Sequence, residues 1–235
     1  MTFSTPAPEV QARELELVYR LYAGLLGDID IETGLGGRLL YAGEPDETGC
    51  RLLRAANIAG AASLAASASA GALRQAMRQG AIDFVVNSLD EALRILKNEI
   101  RKREPVAVGV SLDPENIAKE MVLRGVLPDL LAPHLSGTPE LDTFAAQGAR
   151  RVEEAPLPAG MQFLTLAIPA AWTHGTAALD TLMLDCMPPD DSLNRRWLRF
   201  APRYLGAEAR RLRSLACDEE TAAQIMQRVA SPTSQ

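Results

Sequence analysis

Aromatic residues are scarce in this chain of 235 residues: they make up 5% of the sequence, while hydrophobic residues as a whole make up 47%. A chain of this length and composition can bury a sizeable core, and that core must consist mainly of Ala, Leu, Ile and Val. Charged residues are 23% of the sequence, an ordinary share for a protein that folds in water. These proportions exclude intrinsic disorder over most of the length.

Cysteine is also rare, with three residues, Cys50, Cys186 and Cys217. Their number is odd, their spacings are wide, and no Cys-x-x-Cys pair or Cys/His cluster is present, so the sequence predicts neither a metal site nor a disulfide framework. We expect each cysteine to be a small apolar filler rather than a nucleophile. Reduced cysteines of this kind are typical of a cytoplasmic protein.

An excess of basic residues is missing as well. The chain has 24 Lys and Arg against 30 Asp and Glu, a net charge of -6, which argues against a globally basic nucleic-acid binder. Met1 to Val10 lacks the basic and apolar regions of a secretory signal. Ala55 to Ala72 is too rich in small residues for a membrane span. We therefore expect no nucleic-acid partner and no membrane partner.

What the sequence does contain is an alternation of short apolar runs and amphipathic segments. Val106 to Val110 is the clearest run, of the kind buried in a parallel sheet, and Ser88 with Glu91 forms a capping box at the start of a helix. The pattern predicts an α/β fold, a parallel sheet with helices on both faces. The predicted strands are Arg38 to Ala42, Ala61 to Ser67, Ile82 to Val86, Val106 to Val110 and one within Val126 to Ala132.

The composition changes after Pro133, and we predict two domains, residues 1–136 and 137–235. The second is expected to be an α/β extension that packs on the first domain or on a dimer mate. Its predicted elements are a strand at Met161 to Ile168, a helix at Ser192 to Phe200 and a terminal helix at Glu208 to Val229. The arginine-rich segment 195–213 can be a solvated helix face, a clamp for phosphates or carboxylates, or a contact with acidic residues of a partner subunit.

Two runs within the first domain carry a resemblance to a known family. Gly80 to Leu93 reads GAIDFVVNSLDEAL, and Arg124 to Leu131 reads RGVLPDLL. Together with the order of elements over Glu9 to Ala59, these runs are similar to urocanase, the NAD-dependent hydratase of histidine breakdown. The resemblance covers roughly Glu9 to Ser136 and implies the family's central Rossmann-like, NAD-binding domain. The matching positions belong to the scaffold.

The chain departs from that family at the positions that would bind the cofactor. Urocanases carry a glycine-rich turn after the first strand, whose backbone approaches the cofactor's pyrophosphate. Here the turn is Glu44 to Cys50, with three carboxylates, a proline and Gly49 as the one close-approach glycine. Asp46 or Glu47 can instead simply cap the next helix. The resemblance thus leaves NAD possible but removes key motif residues.

The resemblance also marks candidate binding residues at the ends of the other strands. Ser67 or Ser69 stands where the family has an acidic residue for a ribose hydroxyl, although both can be ordinary loop serines. Ser136 is what remains of the family's DQTS segment, and Ser111 lies in the counterpart of its GLVGNA loop. The candidate cofactor-binding residues are Gly43, Gly49, Ser67, Ser69, Ser111 and Ser136.

His134 and His174 are the two histidines of the chain and the weak candidates for catalysis. Each imidazole can serve as a base, and each can equally belong to an ordinary loop histidine. The favoured interpretation is a homodimeric, urocanase-like module that binds a small ligand or a partner and lacks urocanase activity. The alternatives are an NAD- or nucleotide-dependent enzyme of the lyase or hydratase kind, and a scaffold that binds partners through its arginines.

Overall fold

The structure, a computed structural model, describes residues 9–27, 29–135, 137–168, 172, 175–206 and 210–230. It divides into two compact units, Leu21–Ala155 and the remaining chain on both sides, Met1–Arg20 with Pro156–Gln235. We call them the sheet unit and the two-stranded unit. The domain boundary predicted from the sequence falls after Ser136, whereas this division falls after Ala155 and inside the first helix, α1 (Glu9–Leu26).

Strands and helices alternate through the sheet unit as the apolar pattern predicts. Each strand except the last is short and mainly apolar, and an amphipathic helix follows it, which is the pattern of consecutive βαβ units. The elements after α1 are β1 (Leu39–Gly43), α2 (Glu47–Ala59), β2 (Ala62–Ala66), α3 (Ala70–Arg78), β3 (Phe84–Val86), α4 (Leu89–Lys102), β4 (Val106–Val110), α5 (Pro114–Leu123), β5 (Leu130–Leu131), α6 (Pro139–Ala146) and β6 (Arg150–Arg151).

These strands form one six-stranded sheet in the order β3-β4-β2-β1-β5-β6, and every pair in it is parallel. The chain leaves β1 toward β2 on one side and returns to β5 on the other, so the strand order reverses between β1 and β5. The α/β prediction is confirmed. The end of the sheet unit was not predicted, because β6 consists of two arginines and carries no apolar signal.

Alternate strand residues pack under the helices on opposite faces of the sheet. Leu64 and Val108 lie in one core with Leu93 and Ile117, which belong to α4 and α5. On the other face, a Cβ at Gly109 would lie 2.8 Å from Leu73 Cδ2 of α3. The missing side chain therefore lets α3 lie close against the sheet, which is how a core with few aromatics reaches close packing.

Side chains that precede the helices fix where they begin. Asp46, Ser69, Ser88 and Asp113 each accept a hydrogen bond from a main-chain N–H in the first turn of α2, α3, α4 and α5. The capping box is confirmed in its Ser88 half. Glu91 differs from the expectation, because its carboxylate accepts the N–H of Asn87 at 3.0 Å instead of that of Ser88.

The last turn of α1 is held by the last strand of the sheet. Arg150 donates from Nη1 to the carbonyl of Gly24 at 3.3 Å and from Nη2 to the carbonyl of Leu25 at 2.9 Å. A helix end presents carbonyls that have no partner within the helix, and a cation is favoured there. One guanidinium thus terminates α1 and ties it to β6.

The described residues of the two-stranded unit form an antiparallel pair of strands and three helices besides the first part of α1. β7 (Gln162–Ala167) pairs with β8 (Leu212–Cys217), and α7 (Gly175–Cys186), α8 (Ser192–Tyr204) and α9 (Glu219–Ala230) are the helices. The predicted terminal helix at Glu208 to Val229 is confirmed in its second half, α9, and wrong in its first half. Its first half contains β8, whose residues are all buried, and Asp218 accepts the N–H of Thr221 at 2.7 Å as the second half turns helical.

Trp197 of α8 lies in the core of this unit and is 1% exposed. Its ring meets the Tyr19 ring edge-on at 5.1 Å between centroids, and its Nε1 donates to the Ser214 carbonyl at 2.7 Å. Arg213 of β8 is buried too and donates from two guanidinium nitrogens to Asp180 of α7. Across the described ranges, no helix is both long enough and apolar enough to cross a membrane.

Candidate functional site

The candidate site lies beyond the carboxyl ends of the strands, where the strand order reverses. Leu40 and Tyr41 of β1 pair in register with Leu130 and Leu131 of β5. The loops that follow these strands therefore open on the same edge of the sheet, with the loop after β2 beside them. Parallel sheets of this kind bind ligands at such a crevice.

Gly43 ends β1 and holds the left-handed conformation, with φ +69°. A Cβ added there would lie 2.6 Å from Leu135 Cδ2. In a dinucleotide-binding turn, such a glycine lets a phosphate approach the backbone. Here that approach is taken by the side chain of Leu135, whose carbonyl accepts a hydrogen bond from Arg151 Nη1 of β6.

At the start of α2, side chains and a carbonyl of the protein itself take up the N–H groups and the space that a ligand would use. The carboxylate of Asp46 accepts the N–H of Gly49 at 2.8 Å, and Glu47 pairs with Arg51. A Cβ at Gly49 would lie 2.2 Å from the carbonyl oxygen of Glu44, so Gly49 serves a close turn within the protein. The expectation that Asp46 caps this helix is confirmed.

Glu44 and Ser67 connect the ends of β1 and β2. The Ser67 hydroxyl donates to Glu44 Oε1 and accepts the N–H of Ser69 at 3.0 Å. Ser67 is 1% exposed, and Glu44 is half-buried. The acidic group of this region thus follows β1, whereas the family resemblance looks for one after β2. No pattern in the sequence indicates this pair, because the bond joins residues 23 apart.

The remaining candidates lie along the same edge or outside the described residues. Ser69 caps α3, and Ser111 is half-buried after β4, with its N–H bonded to the Val86 carbonyl at 2.8 Å. His134 follows β5 and is exposed. Ser136 and His174 lie outside the described residues.

Tyr41 of β1 lies close to this edge of the sheet, and the sequence did not indicate it as a residue of the site. Its hydroxyl donates to the Pro114 carbonyl at 2.6 Å, at the first turn of α5. Burial raises the pKa of the Tyr41 phenol far above its usual value, with the nearby carboxylates of Asp113 and Glu44 acting in the same direction. Tyr41 therefore stays a neutral hydrogen-bond donor and contributes no charge to the crevice.

A doubly wound parallel sheet with a crevice at its order reversal defines a Rossmann-like α/β domain. Residues 27–155, more than half of the chain, match the urocanase Rossmann-like domain family. The chain belongs to that family, as the runs GAIDFVVNSLDEAL and RGVLPDLL indicate.

The residues present do not fit the dinucleotide that such a domain implies. A diphosphate needs open N–H groups at a helix start and a glycine that the ligand can approach. In this chain Asp46 takes the N–H of Gly49, Leu135 covers Gly43, and the carboxylate of Glu44, the residue after Gly43, accepts a hydrogen bond from Ser67 at the end of β2. Two like charges at about 4 Å repel by about 1 kcal/mol in water and by more when desolvated.

In the described part of the chain, no three His, Cys, Asp or Glu residues lie close enough together to hold a metal ion. The three cysteines are free, and two of them, Cys50 and Cys217, are buried. The Cys50 thiol donates to the Pro45 carbonyl at 3.3 Å. Burial raises the pKa of Cys217 from 9.0 to about 11.

We expect one fast thiol in the native protein. Cys186 is half-buried, whereas Cys50 and Cys217 are nearly inaccessible, and the raised pKa of Cys217 cuts its thiolate fraction near neutral pH about a hundredfold. Titration with Ellman's reagent should show one rapid equivalent, and Cys186→Ser should remove it while leaving the two slow ones. Rapid labelling of Cys217 in the native state would contradict this prediction.

Proposed function

We propose that this chain is a small-ligand-binding module of the urocanase family that does not hydrate urocanate. The observation that supports it is the occupied turn between β1 and α2. Where a dinucleotide would place its phosphates, the chain places the Asp46 carboxylate, the Leu135 side chain and the Glu44 carboxylate.

The chemistry of the crevice favours a ligand without a diphosphate. The Glu44 carboxylate accepts one hydrogen bond from Ser67 and can accept others, because an ionised carboxylate has about four acceptor positions. A carboxylate repels phosphates and attracts neutral donors and cations. The proposal therefore assigns to this crevice a small neutral or cationic polar molecule, with Glu44 as its contact.

We propose a cytoplasmic location, which the three free cysteines support.

The test removes the obstruction and asks whether dinucleotide binding returns. In the triple variant Glu44→Gln, Asp46→Ser and Leu135→Ala, serine keeps a helix cap without its charge, and alanine uncovers Gly43. We expect the variant to bind NAD about tenfold or more tightly than the natural chain, because two repulsive charges are gone. Isothermal titration calorimetry measures both constants.

The matched control makes the same chemical changes away from the crevice. Glu99→Gln, Glu104→Gln and Leu123→Ala remove two carboxylates and one leucine near the ends of α4 and α5, which lead into the opposite edge of the sheet, and Leu123 is 85% exposed. The control should bind NAD as weakly as the natural chain. Mass spectrometry of molecules released from gently purified protein supplies a second readout. Recovery of NAD at one per chain, or turnover of urocanate, would overturn the proposal in favour of a nucleotide-dependent enzyme.

A further inference from the structure

The two-stranded sheet has two edges, and the edge of β8 is closed by side chains of α8. The Ser214 carbonyl accepts the indole N–H of Trp197, and the Ala216 carbonyl accepts the amide of Asn194 at 2.7 Å. Asn194 Oδ1 also accepts the N–H of Ala216 at 3.3 Å. Three of the four outward main-chain groups of β8 at Ser214 and Ala216 therefore have partners inside the unit.

The edge of β7 has no such cover among the described residues. The N–H of Ile168 donates to the carbonyl of Arg211, and in an antiparallel pair every second residue hydrogen-bonds the facing strand through its main chain. Leu164 and Leu166 therefore bond to β8, whereas Phe163 and Thr165 turn their N–H and C=O groups outward. Within the described chain, these four groups have no hydrogen-bond partner.

The composition of β7 does not protect this edge. Proteins usually protect an open strand with charges, proline or short length. In the six-stranded sheet, the edge strand β6 consists of two arginines and the edge strand β3 has three residues. β7 has six residues, none of them charged and none a proline. A strand of this kind is a template for another strand.

Thr165 provides an independent sign that something is missing at this edge. Its hydroxyl oxygen is buried and has no hydrogen-bond partner in the described chain. Buried polar groups almost always have one, because burial without a partner costs free energy. A strand added beside β7 would bring a new side chain directly opposite Thr165, within reach of that hydroxyl.

We propose that the edge of β7 is an interface for a second copy of this chain, which adds its own β7 in antiparallel orientation. A two-fold axis at Thr165 places the two threonines opposite each other and gives each buried hydroxyl the other as its partner. Identical uncharged strands meet without like-charge repulsion, as the self-complementary interface of a two-fold dimer requires. The product is a continuous four-stranded sheet, β8-β7-β7-β8, with a Trp197 at each outer edge.

The test uses a substitution that blocks the edge and leaves the subunit intact. Thr165→Pro removes an outward N–H that bonds nothing within the described chain, and proline is tolerated at such positions of an edge strand. Light scattering on the full chain should give twice the 25.3 kDa of one copy, and the dissociation constant should rise about a hundredfold or more in the variant. Thr165→Val is the matched control, since it keeps the N–H and the shape, and it should remain a dimer.

Amide hydrogen exchange on the unmodified chain tests the same contact without mutation. In the dimer, the amides of Phe163 and Thr165 should be protected like those of Leu164 and Leu166, and dilution should release the first two alone. A chain that is monomeric at all concentrations, with both outward amides exchanging fast, would overturn the proposal and point to a strand from a different protein. A dimer that persists in a folded Thr165→Pro variant would overturn it as well.

Discussion

Gly49→Ala is expected to lower the free energy of unfolding of the sheet unit by about 3 kcal/mol. The new Cβ would lie 2.2 Å from the Glu44 carbonyl oxygen, and a main-chain atom cannot move aside as the end of a side chain can. The turn between β1 and α2 must open, which disturbs the Asp46 cap and the bond between Ser67 and Glu44. Urea denaturation followed by circular dichroism measures the loss.

Gly71→Ala is the matched control, because it makes the same change in the first turn of α3. The nearest atom to that Cβ is Ser69 Oγ at 3.5 Å, an ordinary contact, and alanine favours a helix over glycine by roughly 0.5–1 kcal/mol. The control should be as stable as the natural chain or slightly more stable. Equal unfolding midpoints for the two variants would show that the Glu44 carbonyl does not close this turn.

Trp197→Ala is expected to destabilise the two-stranded unit by about 3–5 kcal/mol. The substitution leaves a cavity in the core, removes the edge-on contact with Tyr19 and strips the Ser214 carbonyl of its donor. Trp172 lies in the same unit and remains as a fluorescent reporter. Urea denaturation followed by its emission measures the change.

Trp197→Phe separates the two contributions. Phenylalanine keeps most of the apolar volume but cannot donate to the Ser214 carbonyl, so the loss should be smaller, about 1–3 kcal/mol. A Trp197→Phe variant as unstable as Trp197→Ala would mean that the hydrogen bond outweighs the packing. No loss in either variant would contradict the core position of this side chain.

Predictions from the sequence succeeded where a signal is local. β4 was predicted at Val106 to Val110 and has those bounds, because a continuous apolar run needs no distant information. The caps at Asp46 and Ser88 depend on groups within three residues, and both are confirmed. The predicted helix at Glu208 to Val229 failed in its first half because β8 exists only through its pairing with β7, about fifty residues earlier in the chain.

For the candidate site too, the positions of the loops were predictable and the contacts between distant residues were not. The rule for parallel sheets predicts which loops share an edge. The structure puts Gly43 at the end of β1, and it puts Ser67, Ser111 and His134 after the ends of β2, β4 and β5. The contents of the crevice were not predictable. Leu135 reaches Gly43, and Ser67 reaches Glu44, across pairs of strands, and no spacing in the sequence announces either contact.

The bond between Arg150 and the end of α1 has a consequence for synthesis on the ribosome. Arg150 lies 125 residues beyond Leu25, whose carbonyl it holds. At about 5–20 residues per second, that distance corresponds to roughly 6–25 s of translation. During that interval the nascent helix has no guanidinium at its last turn. The sheet unit can therefore be completed only after β6 has left the exit tunnel, and a nascent chain stalled before Arg150 should leave this end of α1 frayed.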